Sequence, residues 1–81
     1  MNDQHVKQLY RDLLTQEYKS ENQAAADTIG RFMGAHGERM RLLNVGRSGE
    51  ARELWLEMRE YAEQVQHLIN AGDIVKIEGA Q

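Results

Sequence analysis

A regular apolar seam in the C-terminal half of the chain constrains the fold more than any other feature of the sequence. Apolar side chains recur there at alternating spacings of three and four residues, which places them along one side of a helix. The seam consists of Ala51, Leu54, Met58, Tyr61, Val65 and Leu68, widened by Trp55, Ala62 and Ile69. It predicts a third helix over about residues 49–71, with Ser48 as its N-cap and Gly72 at its end, packed against another helix.

Two helices are predicted before this seam. Helix 1, over about residues 3–18, has the apolar positions Val6, Leu9, Tyr10, Leu13 and Leu14. Helix 2 is predicted over about residues 21–44. Ser20 is its expected N-cap, as part of a capping box, and Gly46 is expected to end it by adopting a left-handed conformation. Its apolar stripe, in one helical phase, comprises Ile29, Phe32, Met33, His36, Met40 and Leu43. The alternative is that the glycines around residue 34 break helix 2 into two pieces.

The tail over residues 73–81 has the β-prone segment 74–77, which predicts an extended conformation. A single strand is not stable alone. The tail is therefore expected to pair with another copy of the chain, to pair with a partner protein, or to lie as an extended arm.

These elements predict an all-α fold in one domain over residues 1–81, a hairpin of helices 2 and 3 with a short N-terminal helix folded over it. A chain of 81 residues forms a marginal core, and small domains commonly add disulfides, a metal or further copies. Because cysteine is absent, oligomerisation is the expected source of stability, giving a homo-oligomeric bundle. The polar N-terminus predicts that a secretory signal is absent, and the lack of a long apolar run predicts that there is no membrane span. We therefore expect a cytoplasmic protein.

Three glycines share one face of helix 2, roughly opposite its apolar stripe. They are Gly30, Gly34 and Gly37. Each is unfavourable by up to about 1 kcal/mol relative to alanine inside a helix. If helix 2 is continuous, this face predicts close approach of a second copy or of a ligand.

Charge is distributed unevenly along this chain of net charge −3. Residues 29–47 contain four arginines against the single acidic residue Glu38. Arginine presents a planar set of donors that suits phosphate and carboxylate groups. We therefore expect a protein partner or a small anionic ligand to contact these arginines, which are Arg31, Arg39, Arg41 and Arg47.

Other polar groups give weaker indications. Glu60, Glu63 and His67 share one face of helix 3 and resemble half of a metal site, but a solvated face is favoured and no metal or cofactor is predicted. Leu56 lies on the same outer face and is a candidate partner contact. His36, inside the apolar stripe of helix 2, is expected to be a hydrogen-bonded core or interface histidine.

The pattern predicts a binding protein rather than an enzyme, since no nucleophile has a convincing base near it. The favoured function is that of a small oligomeric protein-interaction module, an adaptor or inhibitor of a host or partner protein. One alternative is an oligomer that sequesters a small anionic ligand such as a nucleotide. The other is a nucleic-acid-associated regulator, which the acidic outer face of helix 3 disfavours because phosphates would repel it.

Overall fold

The computed structural model describes residues 2–15 and 18–77, and these residues form three helices and a short two-stranded sheet. The order along the chain is α1 (Asp3–Leu14), β1 (Tyr18–Ser20), α2 (Gln23–Asn44), α3 (Ser48–Ala71) and β2 (Ile74–Lys76). Contact between elements is most extensive between α2 and α3, and α1 packs against both. The predicted mostly helical fold with three helices is therefore confirmed.

Asparagine side chains begin the first two helices. Asn2 accepts a hydrogen bond from the backbone N–H of His5, and Asn22 accepts one from the backbone N–H of Ala25. Each bond satisfies one of the free N–H groups in a first helical turn. The predicted N-cap at Ser20 was wrong, because Ser20 is the last residue of β1 and α2 begins three residues later, at Gln23.

The predicted bounds of helix 1 and helix 3 also need correction. Helix α1 ends at Leu14, and Tyr18 belongs to β1 rather than to the helix, while residues 16–17 lie outside the described part of the chain. In α3, Ser48 is the first helical residue and not the cap. Arg47 occupies the N-cap position, and no side-chain hydrogen bond caps this helix within the described residues.

Helix α2 is continuous through its glycines to Asn44, so the alternative of two shorter helices is excluded. It ends as predicted, with Gly46 in the left-handed region at φ 81°. The N–H groups of Gly46 and Arg47 donate to the carbonyls of Leu43 and Leu42, the pattern of a Schellman motif. Gly72, at φ 86°, ends α3.

The C-terminal strand pairs inside the chain, which corrects the expectation that it needs another copy, a partner or an extended-arm conformation. Strand β2 is antiparallel to β1, with Ser20 opposite Ile74 and Tyr18 opposite Lys76. The side chain of Asn22 also donates to the carboxylate of Asp73 at 3.1 Å. The early end of α1 frees Tyr18–Ser20 to become the partner strand. Residues 78–81 of the predicted tail lie outside the described residues.

The core lies where the three helices meet the sheet. Its largest fully buried side chains are Phe32, Met58, Ile74, Val6 and Val65. The seam predicted on α3 faces this core, since Met58 and Val65 are both 0% exposed. Among the described residues, no helix is long and apolar enough to cross a membrane.

Candidate functional site

The four arginines of the cationic segment do not form one cluster in the described structure. Arg41 donates to the carboxylate of Glu38 from Nε at 3.0 Å and from a terminal nitrogen at 2.6 Å. The hydrogen bond from Arg41 is the largest cause of the lowered pKa of Glu38. Arg47 lies 3.7 Å from the carboxylate of Glu50. Both pairs are exposed, and a neighbouring carboxylate offsets each of these two positive charges.

Arg31 and Arg39 are placed differently from Arg41 and Arg47. Arg31 is exposed on α2, eight residues or about 12 Å along the helix axis from Arg39. Arg39 is partly buried and lies over the ring of Trp55 on α3, with its guanidinium carbon 4.7 Å from the ring centroid. A guanidinium over an indole face is attracted by the ring quadrupole. The contact joins α2 to α3 and fixes the position of the cation.

Two surface cavities share the Arg39–Trp55 contact and Lys7 in their walls, and together they form what we call the Arg39–Trp55 groove. The first has a volume of about 290 Å³ and is also lined by Asp3, Leu43, Ser48, Ala51 and Arg52. The second has a volume of about 360 Å³ and is also lined by Tyr10, Arg11, Leu14, His36 and Met40. Residues from α1, α2 and α3 therefore line one surface.

The groove is cationic although the chain as a whole is acidic. Its described lining contains four positively charged side chains, from Lys7, Arg11, Arg39 and Arg52, against the single carboxylate of Asp3. The net charge of the chain is −3. A concave surface lined by one sign of charge concentrates ligands of the opposite sign. The groove therefore favours an anionic ligand or an acidic protein surface.

Exposed apolar side chains lie in the same groove as these cations. Leu14 is 58% exposed, Met40 is 43% exposed and Leu43 is 39% exposed. A single exposed apolar residue is ordinary, but apolar side chains grouped in a concavity with a polar rim are typical of binding sites. Methionine is suited to such a surface because its unbranched side chain adapts to the shape of a ligand.

Arg39 also has an unpaired donor in this region. Its Nε is buried, and it has no hydrogen-bond partner among the described residues. Burying a guanidinium nitrogen without a partner is unfavourable. Arg39 lines both cavities of the groove. Among the four described cations of the groove lining, Arg39 is partly buried, whereas the other three are exposed.

His36 stacks on Tyr10 at the second cavity, with ring centroids 3.7 Å apart and an interplanar angle of 14°. Burial lowers the pKa of His36, and the positive charge of Arg39 lowers it further. The neutral imidazole is therefore favoured near neutral pH. The sequence predicted a hydrogen-bonded core or interface histidine. The structure shows a partly buried ring whose stacking partner is on α1.

The glycine face of α2 is open to solvent in the single chain. A Cβ atom built at Gly30, Gly34 or Gly37 meets no described atom outside the local helix backbone within 4 Å. No described element of the same chain approaches this face. Close approach of a second copy or a ligand stays a prediction.

The outer face of α3 carries a second, separate surface feature. Leu56 is 56% exposed and lines a cavity of about 350 Å³ together with Arg59, Glu60 and Glu63. Within the described residues, no group of three or more histidine, cysteine or acidic side chains is arranged to hold a metal ion. Leu56 is thus an apolar side chain on an otherwise charged surface.

Sequence reasoning missed the contribution of α1 to the groove. Lys7 and Arg11 are four residues apart, so helical periodicity places them on one face of α1. Nothing in the sequence places that face beside Arg39 and Trp55. Arg52 was also not predicted as a site residue.

Comparisons of this chain with protein-family models, with curated proteins and with solved structures found no match in any of the three.

Proposed function

We propose that the chain is a protein-interaction module whose Arg39–Trp55 groove binds an acidic, amphipathic helical segment of a partner protein. The observation that carries this proposal is the combination, in one concave surface of an acidic chain, of four cations with the exposed side chains of Leu14, Met40 and Leu43. A partner helix with apolar anchors on one side and carboxylates beside them complements both features.

The two cavities favour a peptide over a compact ligand. Their volumes are about 290 and 360 Å³, near the lower limit of about 300 Å³ for small-molecule pockets. They share Lys7, Arg39 and Trp55, so a helix lying across both would contact this central wall and insert side chains on either side of it. Apolar anchors spaced three or four residues apart are the usual means by which a helix occupies a groove.

Each type of contact has a separate role in this proposal. The cations increase the rate of encounter with an acidic segment and select against basic ones. Leu14, Met40 and Trp55 supply apolar area that water leaves on binding. Trp55 is the only tryptophan in the chain and is already held by Arg39, so little side-chain entropy is lost there.

A small anionic ligand is the second candidate. The first cavity is lined by Lys7, Arg39 and Arg52 and by Ser48 at the start of α3, whose first turn has no side-chain cap among the described residues. Free N–H groups at a helix N-terminus attract anions. Saturable submillimolar binding of a nucleoside triphosphate, lost in Arg52→Glu, would favour this ligand over a helical segment.

A designed peptide tests the main proposal. The probe is a fluorescently labelled helical peptide of about five turns, with leucines spaced three and four residues apart and glutamates beside them. Its control has the same composition in scrambled order. Anisotropy measures binding through the label, and the fluorescence of Trp55 reports whether the groove is occupied. We expect the patterned peptide to bind at least about tenfold more tightly than the scrambled one, a difference of about 1.4 kcal/mol.

Two charge reversals on α2 form a matched pair. Arg39→Glu reverses the central cation of the groove, whereas Arg31→Glu makes the same change at an exposed residue outside its lining. We expect about a tenfold or greater loss of affinity for the first and a change within about twofold for the second. Binding should weaken between about 0.1 M and 1 M salt, as the screening length falls from about 10 Å to 3 Å. Equal affinities for both variants, at unchanged helicity, would contradict the proposal.

A further inference from the structure

We infer that His36 is a proton-dependent binding residue of the Arg39–Trp55 groove, which takes up a proton when a carboxylate of the partner segment enters the second cavity. The acidic segment then binds more tightly in mildly acidic solution than in mildly basic solution. This inference rests on the proposed function, because it specifies how pH regulates the same groove. The observation behind it is the position of His36, an imidazole in a cationic cavity whose described lining contains no carboxylate.

Aromatic contacts hold the His36 ring at the wall of the second cavity. One face of the ring stacks on Tyr10, with centroids 3.7 Å apart and an interplanar angle of 14°. Tyr10 in turn meets the fully buried ring of Phe32 edge to face, with centroids 6.3 Å apart. The nitrogens of an imidazole lie on the edge of the ring, so stacking does not occupy them. No hydrogen bond joins them to another described residue, and a partner carboxylate can therefore pair with this edge.

The charged groups around His36 are positive. The other titratable groups that line the second cavity come from α1 and α2, while α3 contributes only Trp55 to it. These groups are Lys7, Tyr10, Arg11 and Arg39. Burial lowers the pKa of His36, and the positive charge of Arg39 lowers it further. In the chain alone, this cavity therefore favours the neutral imidazole.

A carboxylate of the partner segment reverses this preference. A negative charge within hydrogen-bond reach of an imidazole favours the protonated ring, and the charge-assisted hydrogen bond between them is stronger than a neutral one. A purely apolar segment that covers the cavity has the opposite effect, because further burial disfavours the charged ring. The pKa of His36 therefore rises only in a complex that brings a carboxylate to it, so this residue distinguishes acidic segments from merely apolar ones.

Proton linkage gives the direction of the pH effect. The pKa of His36 is below 6.5 in the free chain and higher in the complex, so the complex binds more protons between the two values. Affinity should therefore rise as the pH falls through the pKa of the complex, and it should level off below the pKa of the free chain. A pKa higher by about one in the complex corresponds to about tenfold tighter binding. Glutamates of the partner, with an ordinary pKa of about 4.3, stay ionised through most of this range.

Nuclear magnetic resonance of the unaltered chain tests the inference without any variant. The ring protons of the three histidines report the pKa of each one, with and without the designed acidic peptide. We expect the pKa of His36 to rise in the complex, while those of His5 and His67, which are exposed and outside the groove lining, stay the same. The matched probe is the same peptide with glutamine in place of each glutamate, which should not raise the pKa of His36. A pKa of His36 that falls or stays constant in the complex with the acidic peptide would overturn the inference.

Peptide anisotropy at about pH 8 and about pH 6, at equal salt concentration, measures the consequence for affinity. We expect the acidic peptide to bind the unaltered chain at least about threefold more tightly at the lower pH. His36→Gln should lose this dependence on pH, whereas His67→Gln, the same change at an exposed residue outside the groove lining, should retain it. Circular dichroism at both pH values establishes that each variant is folded. Equal ratios of affinity in the two variants would show that His36 does not take up the proton.

The same measurements separate this inference from the proposed function. If the acidic peptide binds the unaltered chain with an affinity that does not change with pH, the groove is a binding site and only the role of His36 is wrong. If the peptide binds at neither pH, the proposed function is wrong, and the role of His36 is wrong with it.

Discussion

Replacing Met58 by alanine should destabilise the protein strongly, because this side chain lies at the centre of the helix 3 seam and is 0% exposed. Truncating a buried methionine to alanine removes its transfer free energy and leaves a cavity, at a cost of about 2–5 kcal/mol. The total stability of an 81-residue domain is about 4–12 kcal/mol, taken from about 0.05–0.15 kcal/mol per residue. The substitution therefore removes a large fraction of the stability and leaves the protein marginal at 37 °C.

The same substitution at Met40 is the matched control. Met40 is 43% exposed in the groove, so its truncation should change the free energy of unfolding by no more than about 0.5 kcal/mol. Urea unfolding followed by circular dichroism measures both variants. With a slope of about 1 kcal/mol per molar urea, Met58→Ala should shift the midpoint by about 2 M or more.

Protein concentration must be equal and low in these measurements, since self-association adds to apparent stability. If Met58→Ala and Met40→Ala shift the midpoint equally, Met58 is not in the core and the packing of α3 described above is wrong. A large effect of Met40→Ala that appears only at high concentration would instead show that the groove is occupied by another copy.

Three further perturbations probe other parts of the fold. Val65→Asp places a charge in the core and should cost about 3 kcal/mol or more, while Gln64→Asp at the exposed neighbouring position should be nearly neutral by the same urea measurement. Gly34→Ala should raise the free energy of unfolding by up to about 1 kcal/mol, and with it the melting temperature, because the added Cβ meets no described side chain. Gly46→Ala should lower the free energy of unfolding by about 1 kcal/mol or more, because Gly46 has a φ of 81°. In the folded chain, burial and then the positive charge of Arg39 lower the pKa of His36 from its ordinary value of 6.5. Below about pH 6.5 the unfolded chain therefore binds more protons than the folded chain. The free energy of unfolding should therefore fall as the pH drops below 6.5, until the pKa of His36 in the folded chain is passed. His36→Gln should reduce this dependence on pH, and an unchanged dependence would show that His36 is not its source.

The local chemistry of the sequence determined the helices and where two of them end. The phase of Met58 and Val65 on α3 is a property of spacing alone, and both are buried as that phase predicts. Gly46 ends α2 because a residue at this position of the motif must adopt positive φ, which glycine does at no steric cost. The continuous apolar phase on both sides of Gly34 favoured one helix, and only the structure excluded the alternative of a break there.

The sheet was decided by tertiary structure. The sequence indicated a strand in the tail but did not supply its partner, since Tyr18 was predicted to end helix 1 and Ser20 to cap helix 2, whereas Tyr18–Ser20 is a strand. Its pairing with Ile74–Lys76 joins segments more than 50 residues apart, and it depends on α2 and α3 returning the chain to its starting point. Local propensity carries no information about a contact of that sequence separation.

The candidate site, like the fold, was predicted in part from the sequence and decided in part by the tertiary structure. The sequence identified Arg39 as one of four arginines without distinguishing it from Arg41 and Arg47. Only the structure shows that Arg41 and Arg47 each lie beside a carboxylate three residues away, of Glu38 and Glu50 respectively, while Arg39 packs on Trp55. The groove exists because α1 lies across the α2–α3 pair and brings Lys7 to Arg39. A concave surface is a property of how helices pack, whereas a sequence specifies directly only the residues along each helix.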